Sequence, residues 1–175
     1  MDEGSGSNID DNIAIGFEAL KGRDKGSAVG NIEHNIAIGM RALGSASFGA
    51  GDTIVQTGTI GIGYYALNAL TSGKENLAIG YQCMDAVDDG AENIAIGYQA
   101  MSGETSGKQS IAIGSEALKI ANTTSSGTVG NIMIGHNNGI AITTGTRNTV
   151  VGTWSMQSNE TGGFNTGIGY NALQI

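Results

Sequence analysis

The sequence contains no proline and only one cysteine, and each shortage excludes a class of structure. Proline is common in disordered linkers, but it cannot donate the hydrogen bond that the middle of a sheet requires, so its absence favours β-structure over a flexible chain. A single cysteine cannot form a disulfide within the chain. We therefore expect an ordered fold without an internal disulfide.

Basic residues and long apolar runs are also scarce. Eight Lys and Arg residues against 16 Asp and Glu residues give a net charge of −8, which repels nucleic acid and anionic membrane surfaces. No apolar run approaches the ~18 residues of a membrane-spanning helix. The segment Met1–Asn8 lacks the basic and apolar parts of a secretion signal. We expect no nucleic-acid partner, no membrane insertion, and a chain that either works without classical secretion or is a fragment.

Glycine, in contrast, is abundant, and it marks an internal repeat. The segment Asn-Ile-Ala-Ile-Gly-Tyr-Gln-Ala-Met at Asn93–Met101 recurs nine times in related form, and five of the eight intervals between its central glycines are 17 residues. A short fixed period is typical of a solenoid, in which each repeat forms one coil, meaning one strand and the turns that lead to the next strand. The repeat glycines are Gly16, Gly39, Gly63, Gly80, Gly97, Gly114, Gly135, Gly152 and Gly169.

Each repeat contains a short alternation of large and small apolar residues. In Ile94-Ala95-Ile96 the isoleucines point to one face of a strand and the alanine points to the other. We expect the bulky face to fill the interior of a narrow roll and the small face to let a second backbone approach closely. One thin column buries little apolar area, so self-association should cover the small face.

The rest of the repeat predicts a return segment and a corner. The Ala-Leu or Ala-Met pairs, such as Ala66-Leu67, are interpreted as a second short strand or the return leg of each coil, because Ser-Gly dipeptides soon interrupt them. Cys83 replaces an alanine of this position and should be a buried small residue. Asparagine opens most repeats, with Thr59 and Ser110 as substitutes, which predicts a ladder of side chains bonded at a corner.

The pattern Asn-Ile-Ala-Ile-Gly-x-x-Ala-Leu resembles the head repeats of trimeric autotransporter adhesins of the YadA type and related repeats of bacteriophage tail fibres. The resemblance runs from Asn12 to Leu173 and is strongest in the Ala-Ile-Gly segments that end at Gly16, Gly39, Gly80, Gly97 and Gly114. It implies an all-β fold, a left-handed parallel β-roll (β-solenoid) of about nine 17-residue repeats that assembles as a side-by-side homotrimer, and a role in adhesion to a surface. The adhesin repeat is shorter, so the connecting loops are longer here. The lack of coiled-coil heptads, of an anchor segment and of a secretion signal favours a phage fibre segment over a complete bacterial adhesin.

The predicted organisation is one repeat domain with three insertions. Residues 1–11 form an N-terminal lead-in, residues 12–175 form the β-solenoid, and insertions lie near 21–33, 44–57 and 119–130. Insertions in solenoids map to loops on one face, which is often the binding face.

Three aromatic or imidazole side chains are candidates for surface recognition. They are Tyr65, His136 and Trp154, which follow repeat glycines and could stack on sugar rings, although packing against a neighbouring coil or chain is the alternative. His136 has no convergent partners for a metal site in the sequence pattern.

Other chemistry fits the sequence poorly. The acidic turn Asp85–Gly90 has Val87 where a calcium loop needs an oxygen ligand. The 18-residue coils of left-handed β-helix acyltransferases require an aliphatic residue every six positions, but Lys21 follows Ile15 at that spacing. Ice-binding solenoids carry threonine ladders, whereas only the late repeats have threonine at the strand position, in Thr149 and Thr166. We expect no catalytic residues, cofactor or metal.

These observations predict a non-enzymatic structural or attachment domain of a trimeric fibre. The expected setting is a bacteriophage tail fibre or receptor-binding segment in the virion, with two further copies of the chain, a host cell-surface glycan or protein, and other fibre or virion proteins as partners. The alternatives are the head of a bacterial trimeric autotransporter adhesin at the cell surface and a purely structural virion spacer or decoration.

Overall fold

The computed structural model describes residues 9–21, 31–44, 55–121 and 127–174 of the chain. These residues form an all-β fold of short strands, and no helix occurs among them. The strands are β1 (Ile9–Asp10), β2 (Ile13–Ile15), β3 (Asn31–Glu33), β4 (Ile36–Ile38), β5 (Val55–Thr57), β6 (Ile60–Ile62), β7 (Leu77–Ile79), β8 (Ile94–Ile96), β9 (Ile111–Ile113), β10 (Ile132–Ile134), β11 (Thr149–Val151) and β12 (Thr166–Ile168).

Nine of these strands form one long parallel sheet, which is the architecture expected of a β-solenoid. Their order in the sheet is β2-β4-β6-β7-β8-β9-β10-β11-β12, so that spatial order follows the order along the chain. Neighbours pair without any shift: Ile94 lies opposite Ile111, and Ala95 lies opposite Ala112. Each residue type of the repeat therefore forms a column along the sheet.

A second parallel sheet of three strands, β1-β3-β5, accompanies the first coils. Its strands lie in segments that the sequence analysis assigned to the lead-in 1–11 and to the insertions 21–33 and 44–57. The last residues of these segments are thus part of the solenoid. Most of the remaining insertion residues, including 22–30, 45–54 and 122–126, lie outside the described residues.

The two faces of the long sheet are oriented opposite to our expectation. The small central residues of the strands, such as Ala78, Ala95 and Ala112, are fully buried inside the coil. The isoleucines on either side of them point outward and are half-buried or exposed. The prediction that the bulky face fills the interior was therefore wrong.

The reason for this orientation lies in the return segments. Leu67, Met84, Met101 and Leu118 come from the turns and fill the interior, where each is at most 1% exposed. The space left above the strand is small: a Cβ atom on Gly61 would lie 3.2 Å from Cγ of Leu43. Only a small strand residue fits at most of these positions.

In the described residues the Ala-Leu and Ala-Met pairs lie in successive turns. Of the two predicted alternatives, the second short strand is therefore wrong, and these pairs form the return leg of each coil. Gln99 and Met101 have φ angles of 50° and 54°, in the left-handed region that breaks a strand. The stacking of coils nevertheless continues through these turns, because the N–H of Met101 donates to the carbonyl of Ala117 at 2.9 Å.

The predicted corner ladder is present. The N–H of Ser110 donates to Oδ1 of Asn93 at 2.9 Å, and Nδ2 of Asn93 donates to the carbonyl of Gly107 at 2.8 Å. Thr59 and Ser110 take part through their hydroxyl oxygens, at 3.4 and 3.2 Å from the next N–H. These buried bonds hold neighbouring coils in alignment.

The repeat glycines are explained by close contact between coils. Gly97 has a φ of +142°, and a Cβ atom there would lie 2.4 Å from the carbonyl oxygen of Gly114. A side chain at this position would meet both a backbone clash and a strained dihedral angle. The glycine column therefore permits the next coil to approach.

Candidate functional site

The outward side of the long sheet is a continuous apolar surface, which we call the isoleucine face. Its exposure is greatest at the two ends, where Ile15 is 59% and Ile168 is 78% exposed, and most side chains between them are half-buried. A continuous exposed apolar patch of this length indicates an interaction surface. The face consists of Ile13, Ile15, Ile36, Ile38, Ile60, Ile62, Leu77, Ile79, Ile94, Ile96, Ile111, Ile113, Ile132, Ile134, Val151 and Ile168.

A column of stacked tyrosines lies at the position that follows the repeat glycine. The rings of Tyr64 and Tyr81 stack at a centroid distance of 5.0 Å with a 7° angle between planes, and those of Tyr81 and Tyr98 stack at 5.5 Å and 13°. The three rings are between 39% and 49% exposed. Their faces cover each other, so this tyrosine column presents ring edges to solvent.

Tyr65 belongs to a polar network. Nη1 of Arg41 donates to its hydroxyl at 2.8 Å, and the guanidinium carbon lies 5.5 Å from its ring centroid. Arg41 also binds Glu18 at 2.7 Å, and Lys21 binds the same carboxylate at 2.6 Å. The hydrogen bonds from Lys21 and Arg41 lower the pKa of Glu18 below its ordinary value. Tyr65 is thus held in place by Arg41 and by the ring of Tyr64 at 4.4 Å.

The other two predicted recognition residues come together with a third aromatic residue. Trp154 lies 6.5 Å from His136 and 5.6 Å from Tyr170, measured between ring centroids. We call His136, Trp154 and Tyr170 the aromatic cluster. The sequence analysis did not single out Tyr170 for recognition, although it follows its repeat glycine as His136 does, in the coils on either side of Trp154. That shared position was the available signal.

Groups capable of metal or acid–base chemistry are dispersed in the described part of the chain. No set of three or more His, Cys, Asp and Glu side chains converges there. Nε2 of His34 lies 3.5 Å from a carboxylate oxygen of Asp11, and both side chains are exposed. In the acidic turn, the hydroxyl of Thr71 donates to Asp88, and burial raises the pKa of Asp85.

Cys83 is buried, as its repeat position predicted. Its Sγ lies 3.2 Å from the carbonyl of Ala95, and burial raises its pKa to about 12. Nucleophilic chemistry requires the thiolate, so this cysteine is chemically protected in the folded chain.

A membrane-spanning helix of sufficient length and hydrophobicity is likewise not found in the residues that the structure describes. Comparison of the chain with protein-family models, with curated proteins and with solved structures gave no match. The features from which a function can be proposed are the isoleucine face and the aromatic cluster.

Proposed function

We propose that the chain is a non-enzymatic attachment domain of a homotrimeric fibre, in which the isoleucine faces of three left-handed β-rolls pack side by side around one axis. The observation that carries this proposal is the row of sixteen large apolar side chains on the outward side of the nine-stranded sheet, of which five are exposed and the others half-buried. The setting we propose is a bacteriophage tail fibre that contacts the host cell surface.

The apolar surface of the isoleucine face provides the driving force for association. Removal of such surface from water is favourable by about 25 cal/mol per Å², and the costs of bringing the chains together and ordering them are subtracted from this gain. Ile13 and Ile15 are at least 50% exposed in one chain, and Ile134 and Val151 are 36% and 37% exposed. A second copy offers a face of the same length and spacing, so association between copies covers all of it at once. The number three rests on the resemblance to trimeric adhesin heads.

The oligomer is tested by measuring the mass of the native protein with light scattering after size exclusion. We expect about three times 17.7 kDa for the natural sequence. The double variant Ile96→Asp/Ile113→Asp should dissociate, because carboxylates would be buried in an apolar interface. Thr144→Asp/Ser158→Asp adds the same charge on loops outside the strands and should remain a trimer.

Two results would overturn the assembly proposal. The first is a natural chain that elutes as a monomer at micromolar concentration. The second is an Ile96→Asp/Ile113→Asp variant that keeps the mass of the natural protein while retaining its β-sheet circular dichroism.

The attachment role is tested separately with fluorescently labelled protein and a panel of bacterial cells. We expect saturable binding to at least one strain. The matched control is the Thr144→Asp/Ser158→Asp variant, which should remain a trimer. A trimer that binds no cell surface would favour the structural spacer or decoration. An adhesin head at the bacterial surface is the other alternative.

A further inference from the structure

We propose that the aromatic cluster of His136, Trp154 and Tyr170 is a binding site for the apolar face of a neutral pyranose sugar. This inference rests on the proposed attachment function and names the class of ligand that the attachment site takes. The proposed site differs from the set of recognition residues predicted from the sequence, because it excludes Tyr65 and adds Tyr170.

The orientation of the three rings leaves aromatic faces available to a ligand. The plane of Trp154 makes an angle of 52° with His136 and of 51° with Tyr170, so the rings are tilted and leave part of their faces uncovered. Trp154 is 40% and Tyr170 is 66% exposed. A pyranose presents a patch of C–H groups with partial positive charge, which is attracted to the negative face of an aromatic ring.

The tyrosine column provides a comparison within the same chain. Tyr81 is 45% exposed, close to Trp154, but it is stacked on Tyr64 and Tyr98 at angles of 7° and 13°. A ring stacked on both sides has no face to offer a sugar. Exposure alone therefore does not distinguish the two groups of aromatic residues, whereas ring tilt does.

The polar groups of the aromatic cluster are available for hydrogen bonds to a ligand. Within the described residues, the indole N–H of Trp154, the hydroxyl of Tyr170 and the imidazole nitrogens of His136 have no hydrogen-bond partner. These groups can donate to or accept from sugar hydroxyls without breaking an existing bond. Polar groups beside an apolar platform are the usual means by which a small-molecule site fixes the orientation of its ligand.

The charge of the aromatic cluster also bears on the class of ligand. The cluster spans two columns on three successive coils, which are joined by backbone bonds from Trp154 to His136 at 3.0 Å and from Asn171 to Thr153 at 3.1 Å. The six residues at these positions carry no carboxylate, lysine or arginine side chain, whereas the coil before His136 carries Glu116, paired with Lys119 at 2.8 Å, in the column of Asn137. An uncharged patch favours a neutral sugar. Its members are His136, Asn137, Thr153, Trp154, Tyr170 and Asn171.

Trp154 is the only tryptophan of the chain, so its fluorescence reports the site directly. The native protein is titrated with methyl glucoside, methyl galactoside and methyl N-acetylglucosaminide, with methyl glucuronide as the charged comparison. We expect a saturable change with at least one neutral glycoside at a dissociation constant of about 1 mM, and a weaker response to the glucuronide.

Variants assign the effect to the cluster. Tyr170→Ala should weaken binding about fivefold to tenfold, whereas Tyr81→Ala in the tyrosine column should leave it within about twofold. Trp154→Ala should abolish saturation transfer from protein to sugar protons in NMR spectra. The inference is overturned when none of the three neutral glycosides gives a saturable change, or when binding persists in Trp154→Ala.

The failure of this inference and the failure of the proposed function give different results. A trimer that adheres to cells but binds none of the neutral glycosides would overturn the sugar site alone. A monomer that adheres to no cell would overturn the proposed function, whatever its response to glycosides.

Discussion

The N–H of Asn93 donates to the side-chain oxygen of Asn76 at 3.0 Å, one coil away. Bonds of the same kind connect all nine corner residues from Asn12 to Asn165, with Thr59 and Ser110 contributing hydroxyl oxygens. Most of these groups are buried, so water cannot pair with them. Each bond therefore avoids the cost of an unpaired buried polar group. The ladder therefore aligns the coils on which the isoleucine face and the aromatic cluster depend.

Replacement of Asn93 tests the ladder. Asn93→Ala removes the acceptor for the N–H of Ser110 and the donor to the carbonyl of Gly107. Leaving two buried groups unpaired should lower the free energy of unfolding by about 2–4 kcal/mol. Asn93→Ser, which copies Ser110, keeps an acceptor and should lose about half as much. Urea unfolding at a fixed protein concentration measures the stability of both variants. Equal losses would contradict separate contributions from the acceptor oxygen and the donor N–H of Asn93.

Alanine at a repeat glycine tests the close approach of coils. At Gly97 a Cβ atom would lie 2.4 Å from the carbonyl oxygen of Gly114, whereas at Gly169 no atom lies within 4 Å, and both residues have a positive φ. Gly97→Ala should therefore destabilise by about 4 kcal/mol or more, and Gly169→Ala by only the dihedral cost of about 1–3 kcal/mol. Thermal unfolding followed by circular dichroism measures the loss of stability in each variant. Similar losses in Gly97→Ala and Gly169→Ala would show that the clash is unimportant.

A third prediction concerns residues that carry a side chain in the left-handed region. Glu75 has a φ of 58° at the position before the corner asparagine, which in other coils holds Gly58 at 64° and Gly130 at 63°. Glu75→Gly relieves dihedral strain in the folded chain but increases the entropy of the unfolded chain. The net effect should be a rise in the free energy of unfolding of about 0.5–1 kcal/mol.

Gly58→Ala is the converse of that substitution. Its Cβ atom would meet only Cγ of Glu75 at 3.7 Å, an ordinary contact, so the expected loss of about 1 kcal/mol reflects strain alone. A loss of stability in Glu75→Gly, measured under the same urea conditions, would show that strain at this position is negligible.

Cys83 predicts a dependence of stability on alkaline pH. Burial raises its pKa from an ordinary value of 9.0 to about 12, so the unfolded chain releases the proton first. The stability that the neutral thiol of Cys83 contributes is complete below pH 9. It is lost as pH rises towards 12, by at most about 1.4 kcal/mol per pH unit. Cys83→Ala, which copies Ala100, should lose less stability between pH 9 and 11. Identical pH profiles would contradict the prediction.

Columns of identical residues were predictable because the repeat places them at the same point of every coil. The strand at Ile94–Ile96, the corner ladder through Asn93 and the burial of Cys83 each follow from the position of a residue within the repeat. A local rule applies in each case: alternation predicts a strand, and asparagine at a corner bonds to backbone.

The return segment was predicted less well because two local rules compete there. Ala100-Met101 has the composition of a buried strand or helix, yet Gln99 and Met101 adopt left-handed angles that the repeat glycine and the tight turn impose. Such angles are uncommon for these residues, so their sequence carries no signal for them. The tertiary contacts between coils offset the strain.

The sequence by itself determined that the chain forms short parallel strands in a stack, because period, alternation and corner residues repeat together. Only the tertiary structure decided which face of the strand is outside, since alternation is the same whichever face is buried. Leu67 and Met101 reach the interior from the turns and leave room there for Ala78 or Ala95, so the isoleucines face outward. Ring tilt at Trp154 likewise depends on packing between successive coils, which no single repeat specifies.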